Sequence, residues 1–204
     1  MRLIEIYILP SQDYPPEKYQ HYFTNISKTV QLSTGLVLKT SPRENELHIG
    51  VFDVDKLVAY VQLVKLQGYW QVIMQTTDRK HQNQGYIRRC IEYAVQQLSV
   101  IISDEGQTEE AKMVWTALVR RPNILNLYYL DLRTGNKQKI SYNQKRNSVD
   151  PDPWVDEDPD IRIMASLKPI SEETRSRMQQ RLETRIRLGH SDPWIGQNFT
   201  EFNP

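Results

Sequence analysis

The sequence predicts an α/β protein of the α+β type: a mixed, mostly antiparallel central sheet flanked by helices, with a C-terminal helical arm. Two observations predict the sheet. Residues 46–53, 57–66 and 69–77 are apolar runs joined by tight turns at Asp53-Val54-Asp55-Lys56 and Gln67-Gly68, the pattern of an antiparallel meander. The last run then feeds through a polar, glycine-bearing join into an amphipathic helix, with Ile87, Ile91, Ala94 and Leu98 at i, i+4, i+7 and i+11. A third observation predicts the arm. Met178, Leu182 and Ile186 form one narrow apolar stripe beside a parallel stripe of Arg177, Arg181 and Arg185.

In chain order, residues 3–9 read as a first strand, rich in β-branched side chains and ended by Pro10. Pro15-Pro16 starts the next element. Tyr19, Tyr22, Phe23 and Ile26 at i, i+3, i+4 and i+7 predict a helix over 16–31. Residues 33–45 read as turn-rich, and the meander and central helix follow. Residues 103–110 read as an acidic loop and 112–118 as a strand. Pro122 then opens a predicted helix through Ile124, Leu125, Tyr128, Tyr129 and Leu132, with Gly135 as its C-terminal glycine. Strands over 137–142 and 161–167 complete the sheet, separated by a polar segment with Pro151, Pro153 and Pro159.

Composition narrows the class. A chain of 204 residues suits one domain with an appendage, here 1–168 and 169–204. Apolar residues make up 39%, enough for a lean core. The formal net charge of +1 gives no argument for nucleic acid or membrane. Basic residues Arg79, Lys80, Arg88 and Arg89 flank the join, but the aromatic interleaving of a nucleic-acid platform is absent. The one cysteine, Cys90, excludes an intramolecular disulfide, fits a reducing compartment, and lies beside the helix stripe as a packed thiol. No apolar run reaches the length of a membrane span, and Met1-Arg2-Leu3-Ile4-Glu5 lacks a signal-peptide profile, so a cytoplasmic location is expected. The acids between Asp150 and Asp160 lack the ligand spacing and turn glycine of a calcium loop, and no metal is expected.

The join between strand and helix carries the chemistry. A strand feeding a helix through such a turn points free backbone N–H groups at one spot, and the helix dipole adds partial positive charge, so the spot suits a phosphate. Gln82-Asn83-Gln84-Gly85-Tyr86-Ile87 resembles motif A of the GCN5-related N-acetyltransferases (GNAT), in which Gln/Arg-x-x-Gly-x-Gly/Ala holds the pyrophosphate of acetyl-coenzyme A. Gln82 and Gly85 match the pattern. Ile87 stands where the family has Gly or Ala, and its β-branched side chain is expected to hinder close approach of a phosphate. The predicted order of elements is also that of the family, less a second helix after the first.

The resemblance implies a divergent GNAT-like protein and a set of roles. The pyrophosphate cradle falls on Gln82, Asn83, Gln84, Gly85, Tyr86 and Ile87, and the pantetheine-holding backbone on Gln75, Thr76 and Thr77. In the family a tyrosine in the following helix protonates the leaving thiolate, which points to Tyr128 or Tyr129. The acid often found on the strand before motif A is missing from 69–77. His81, beside the cradle, is a candidate base because imidazole titrates in the right range; Glu5 and Glu46 qualify only if folding brings them to the cleft.

Two functions remain side by side. One is an acetyl-CoA-dependent N-acetyltransferase acting on an amine. The other is a non-catalytic GNAT-fold interaction or assembly protein, such as a subunit of a larger complex or a virus particle. The arm bears on the second. Ser171 caps a helix opening with Glu172 and Glu173, and Trp194, Phe199 and Phe202 follow Gly189 without periodicity. Residues 170–204 are therefore expected to dock on a protein partner or on a second copy of the chain.

Overall fold

The computed structural model describes residues 14–32, 34–66, 68–120, 125–152, 154, 158 and 160–167. The expected first strand with Glu5, the expected arm over 169–204, and Pro122 and Asn123 lie outside the described residues. Described strands are β1 (Lys28–Gln31), β2 (Val37–Arg43), β3 (Glu46–Asp53), β4 (Lys56–Leu66), β5 (Tyr69–Thr77), β6 (Val100–Ile102), β7 (Leu125–Asp131), β8 (Lys137–Lys139), β9 (Ser141–Asn143), β10 (Ser148–Asp150) and β11 (Ile161–Leu167). The α-helices are α1 (Tyr86–Leu98) and α2 (Glu109–Arg120), and 3₁₀ helices span Pro16–Tyr22 and Arg79–His81.

Nine strands form one sheet in the order β1-β2-β3-β4-β5-β6-β11-β7-β8, and β9 and β10 pair separately. Every pairing in the large sheet is antiparallel except β5 with β6. The α/β class and the mostly antiparallel sheet are as the sequence predicts, and the meander is β3-β4-β5. Helix α1 buries Ile87, Cys90, Ile91, Ala94 and Val95 against the sheet, and Trp115, Leu118 and Val119 of α2 join the same core. The Cys90 thiol is fully buried, and burial pushes its pKa up to about 12, as fits a packed thiol. Among the described residues, no helix is long and apolar enough to cross a membrane, and no group of three or more His, Cys, Asp or Glu could hold a metal.

Five predicted elements differ, three of them for a local reason. The helix expected over 16–31 is the 3₁₀ helix Pro16–Tyr22 followed by β1. Tyr19, Tyr22 and Phe23 do face one way, but a 3₁₀ turn also aligns i with i+3, and they pack on Phe52, Leu57 and Tyr60. The segment read as turn-rich contains β2, in which Leu38 and Thr40 are buried and Val37 and Lys39 half-buried, the two-residue alternation of a strand. The strand expected over 112–118 is α2: Ala111, Trp115, Leu118 and Val119 are buried at i, i+4, i+7 and i+8. Thr108 Oγ1 accepts from Ala111 N at 3.2 Å, and Glu109 and Glu110 in the first turn favour the positive end of the helix.

The helix expected through Leu125 and Leu132 is instead β7, inserted between β11 and β8. Its two partners satisfy the backbone on both sides, and tertiary pairing overrides the helical spacing of its apolar residues. Gly135 accordingly sits in the turn after β7, its N–H donating to Asp131 O at 2.8 Å and its φ at +72°. The strand expected over 137–142 is divided into β8 and β9 around buried Ile140.

A second, smaller core lies on the opposite face of β3 and β4. His48 is fully buried there; its Nε2 lies 2.9 Å from Glu46 Oε2 and its Nδ1 2.7 Å from Tyr60 Oη. With Glu46 ionised, Nε2–H donates to the carboxylate and Nδ1 accepts from the Tyr60 hydroxyl. Tyr22 stacks on His48 with centroids 4.3 Å apart, and Tyr19 stacks on Tyr60 at 4.4 Å. Burial lowers the His48 pKa, with Arg43 and His21 acting in the same direction and Glu46 opposing.

That shift has a defined sign. A lowered folded-state pKa means the unfolded chain binds more protons below the unfolded value, about 6.5. Stability is therefore expected to fall as pH drops from about 6.5 toward the folded-state value. Urea unfolding between pH 7.5 and 5 measures this slope, and His48→Gln, though less stable overall, is expected to show a flatter one.

Candidate functional site

The meander and α1 create a wedge. β5 and β6 pair only at Trp70 with Ile101 and Gln71 with Ile102. Opposite Gln62 and Leu63 of β4, β5 places Met74 and Val72, so Ile73 is an extra, unpaired residue. Such a bulge bends the strand. Beyond Gln71, β5 runs on to Thr77 with no partner on its β6 side among the described residues, leaving that edge with free N–H and C=O groups. A cleft of about 940 Å³ follows the open edge, walled by the loop into α1, by the segment from Asp104 to Thr108 and by α2.

One end of the cleft is an uncapped helix N-terminus with cations beside it. Gly85 is the residue before α1, in the left-handed conformation at φ +76°, and offers no capping side chain. The first turn of α1 holds no acid; Arg88 and Arg89 stand there instead. Cations at a helix N-terminus oppose the dipole, and the first N–H groups have no intrahelical partner, so both features suit a bound anion. The nearby carboxylate of Asp78 is already engaged. Lys56 Nζ lies 2.7 Å from its Oδ2 and Lys80 N donates to its Oδ1 at 2.8 Å, and these hold its pKa down to about 2.

The loop itself is tied down. Tyr86 Oη donates to Gln84 Oε1 at 2.6 Å and Gln84 Nε2 donates to Lys80 O at 3.3 Å. His81 Nδ1 stands 3.5 Å from Asp78 Oδ1, long for a hydrogen bond. Ile87 is 8% exposed, packs with the main core and also borders the cleft. Two buried amide oxygens along the cleft, Gln75 Oε1 and Gln107 Oε1, have no hydrogen-bond partner in the structure. Thr76 also borders the cleft, but its hydroxyl donates to Tyr14 O at 2.7 Å.

The structure thus brings Gln75, Thr76, Thr77, His81, Gln82, Asn83, Gln84, Gly85, Tyr86 and Ile87 to one cleft. Tyr128 and Tyr129 are not in its lining. Both are on β7, Tyr129 packing against the main core and Tyr128 against the small cluster of Ile102, Leu130 and Met164. The helix that follows β6 is α2, whose aromatic residue is the fully buried Trp115; among the described residues, the tyrosines bordering the cleft are Tyr14 and Tyr86. Glu46 is engaged with His48, in the second core. Asp104, Gln107 and Arg120, which sequence reading passed over, also line the cleft. The capping pattern Thr108-Glu109-Glu110 was the signal that would have placed α2 and brought Gln107 and Arg120 into view.

No family model matches the chain, and no curated protein gives a significant sequence match. In structure the chain is similar to acetyltransferases. The ribosomal-protein-S18-alanine N-acetyltransferase from Escherichia coli is 16% identical, over 65% of this chain and 75% of that one, with a TM-score of 0.35. A protein described as a GNAT-family acetyltransferase from Bacteroides thetaiotaomicron is 15% identical over 70% and 73%, with a TM-score of 0.33. A protein described as a streptothricin acetyltransferase from Bacillus anthracis, solved in complex with acetyl coenzyme A, is 13% identical over 63% and 65%, with a TM-score of 0.35.

Proposed function

We propose that this chain binds acetyl-coenzyme A along the open edge of β5 and transfers the acetyl group to an amine. One observation carries the reading: β5 parts from β6 after Gln71, and the exposed strand edge runs to an uncapped helix N-terminus flanked by arginines. An arm bearing amide groups fits a strand edge with unpaired N–H and C=O groups, as an added strand does. The orphaned oxygens of Gln75 and Gln107 would accept from its amide N–H groups. The N–H groups around Gly85 and the Arg88 guanidinium would hold the phosphates. Bound there, coenzyme A supplies an activated acyl thioester. The chain's own work is to hold it extended and to bring an amine to the far end of the wedge.

Calorimetric titration with acetyl-CoA tests the binding, and thiol release in the presence of primary amines tests the transfer. Wild-type protein that gives neither heat nor a thermal shift at millimolar acetyl-CoA would sink the reading.

A second reading, a non-catalytic assembly protein of the same fold, is favoured by the absence of a tyrosine from α2 and by the position of Tyr128 and Tyr129 outside the cleft. Binding of acetyl-CoA without thiol release to any amine would select it. On that reading residues 170–204 are the assembly arm. A chain ending at Leu167, where β11 is complete, is expected to stay folded but to change its association state in sedimentation. An unchanged association state, with the fold intact, would remove the arm from assembly.

A further inference from the structure

The wedge between β5 and β6 closes at Gln71, the last residue of β5 that pairs with β6. Two residues beyond Ile102, Asp104 enters the lining of the cleft. Its Oδ1 accepts from Gln71 Nε2 at 2.9 Å and from Glu105 N at 2.8 Å. The carboxylate is thus fastened at the apex by β5 and by the loop that follows β6. From Gln71 to Thr77, where the anion-facing loop begins, β5 advances six residues, about 20 Å at 3.3 Å per residue. An extended pantetheine arm is of comparable length. Phosphates held at the Gly85 end therefore set the thioester near the Asp104 end.

Resting on the acetyltransferase reading, we infer that Asp104 is the catalytic base that takes a proton from the acceptor amine. The ammonium form gives one proton to the Asp104 carboxylate, which passes it to solvent. The nitrogen lone pair then forms the C–N bond to the acyl carbon. The C–S bond breaks with its electron pair on sulfur, and the second nitrogen proton ends on that sulfur as the free thiol. A charged carboxylate at the apex also attracts a cationic amine to the place where it must react.

The surroundings of Asp104 suit this work. Burial raises its pKa, and the neighbouring charge of Glu105 adds to the rise. Hydrogen bonds from Glu105 N–H and Gln71 act the other way, as does the charge of Arg162 on β11. A base whose pKa is nearer the working pH is better matched to proton transfer. The same shift marks Asp104 as a residue that costs stability. A raised folded-state pKa contributes stability at low pH that is lost as pH rises through the folded value.

Asp104→Asn tests the assignment, since the amide oxygen can still accept from Gln71. Acceptors are spermidine and alanyl peptides, which are protonated at pH 7, and hydroxylamine, which is already neutral there. The variant is expected to bind acetyl-CoA with unchanged affinity and to lose about 100-fold or more in transfer to spermidine, within the range of general-base catalysis. Transfer to hydroxylamine is expected to fall by less than about 10-fold, because no proton has to be removed before attack. A purely structural role would lower both alike. A second readout needs no acceptor: the variant is expected to melt above wild type at pH 8, the gap closing near pH 4. Where wild type does transfer, equal losses for the two amines, or a pH–rate profile in the variant that matches that of wild type, overturn the role of Asp104 alone. Wild-type protein that does not bind acetyl-CoA, or binds it without releasing thiol to any of these amines, overturns the inference together with the transfer reading.

Discussion

Gly85→Leu is expected to bring acetyl-CoA binding below detection by calorimetry, a loss of at least about 100-fold, or about 2.8 kcal/mol. Two effects add. Gly85 has φ +76°, and a β-carbon in left-handed backbone costs about 1–2 kcal/mol, so the turn is expected to shift. The new side chain would also point at the Arg88 guanidinium, whose Nε and Nη2 lie 3.6 Å from the position of the added β-carbon. A leucine side chain extends beyond that contact and displaces the cation from the mouth of the cradle. Gly135→Leu is the control, because Gly135 also has a positive φ, +72°, but open space around it and no place in the cleft. The control is expected to lose stability and keep its affinity. Equal affinity losses in both would mean that strain, not the cradle, governs binding.

Ile87→Gly sharpens the same point. From the motif alone, shortening this side chain is expected to open the cradle. In the structure the side chain packs with the main core. The variant is therefore expected to lose stability through a cavity and a helix glycine, without a gain in affinity.

Trp115→Ala is expected to cost about 3–5 kcal/mol in urea unfolding, a large part of the roughly 5–15 kcal/mol that holds a domain of ordinary size. Trp115 is the largest fully buried side chain among the described residues. It joins α2 to the core cluster that α1 also packs in and stands at the wall of the cleft. Its removal would leave a cavity between the helices that the neighbouring aliphatic side chains cannot close without moving α2. Trp115→Phe, which keeps an aromatic ring, is expected to cost less than half as much. A loss below about 1 kcal/mol for the alanine variant would show that α2 contributes little to the core.

The sequence by itself determined the meander, the join and α1. These are local: short turns fix strand order, and the 3.6-residue stripe of Ile87, Ile91 and Ala94 fixes a buried face. The cradle from Gln82 to Ile87 was legible for the same reason, since strand, turn and helix are contiguous. The tertiary structure decided the second half of the chain. The apolar residues of β7 have spacings that a helix would also accept, and insertion between β8 and β11 selects the strand. The opposite exchange befell α2, where the apolar run after Lys112 suits a strand until the Thr108 cap and the stripe from Ala111 to Val119 are taken together. Placement of Asp104 was decided in the same way. It faces the cleft because β6 pairs with β5 at only two positions before the strands part, a register between segments some thirty residues apart that no local pattern encodes.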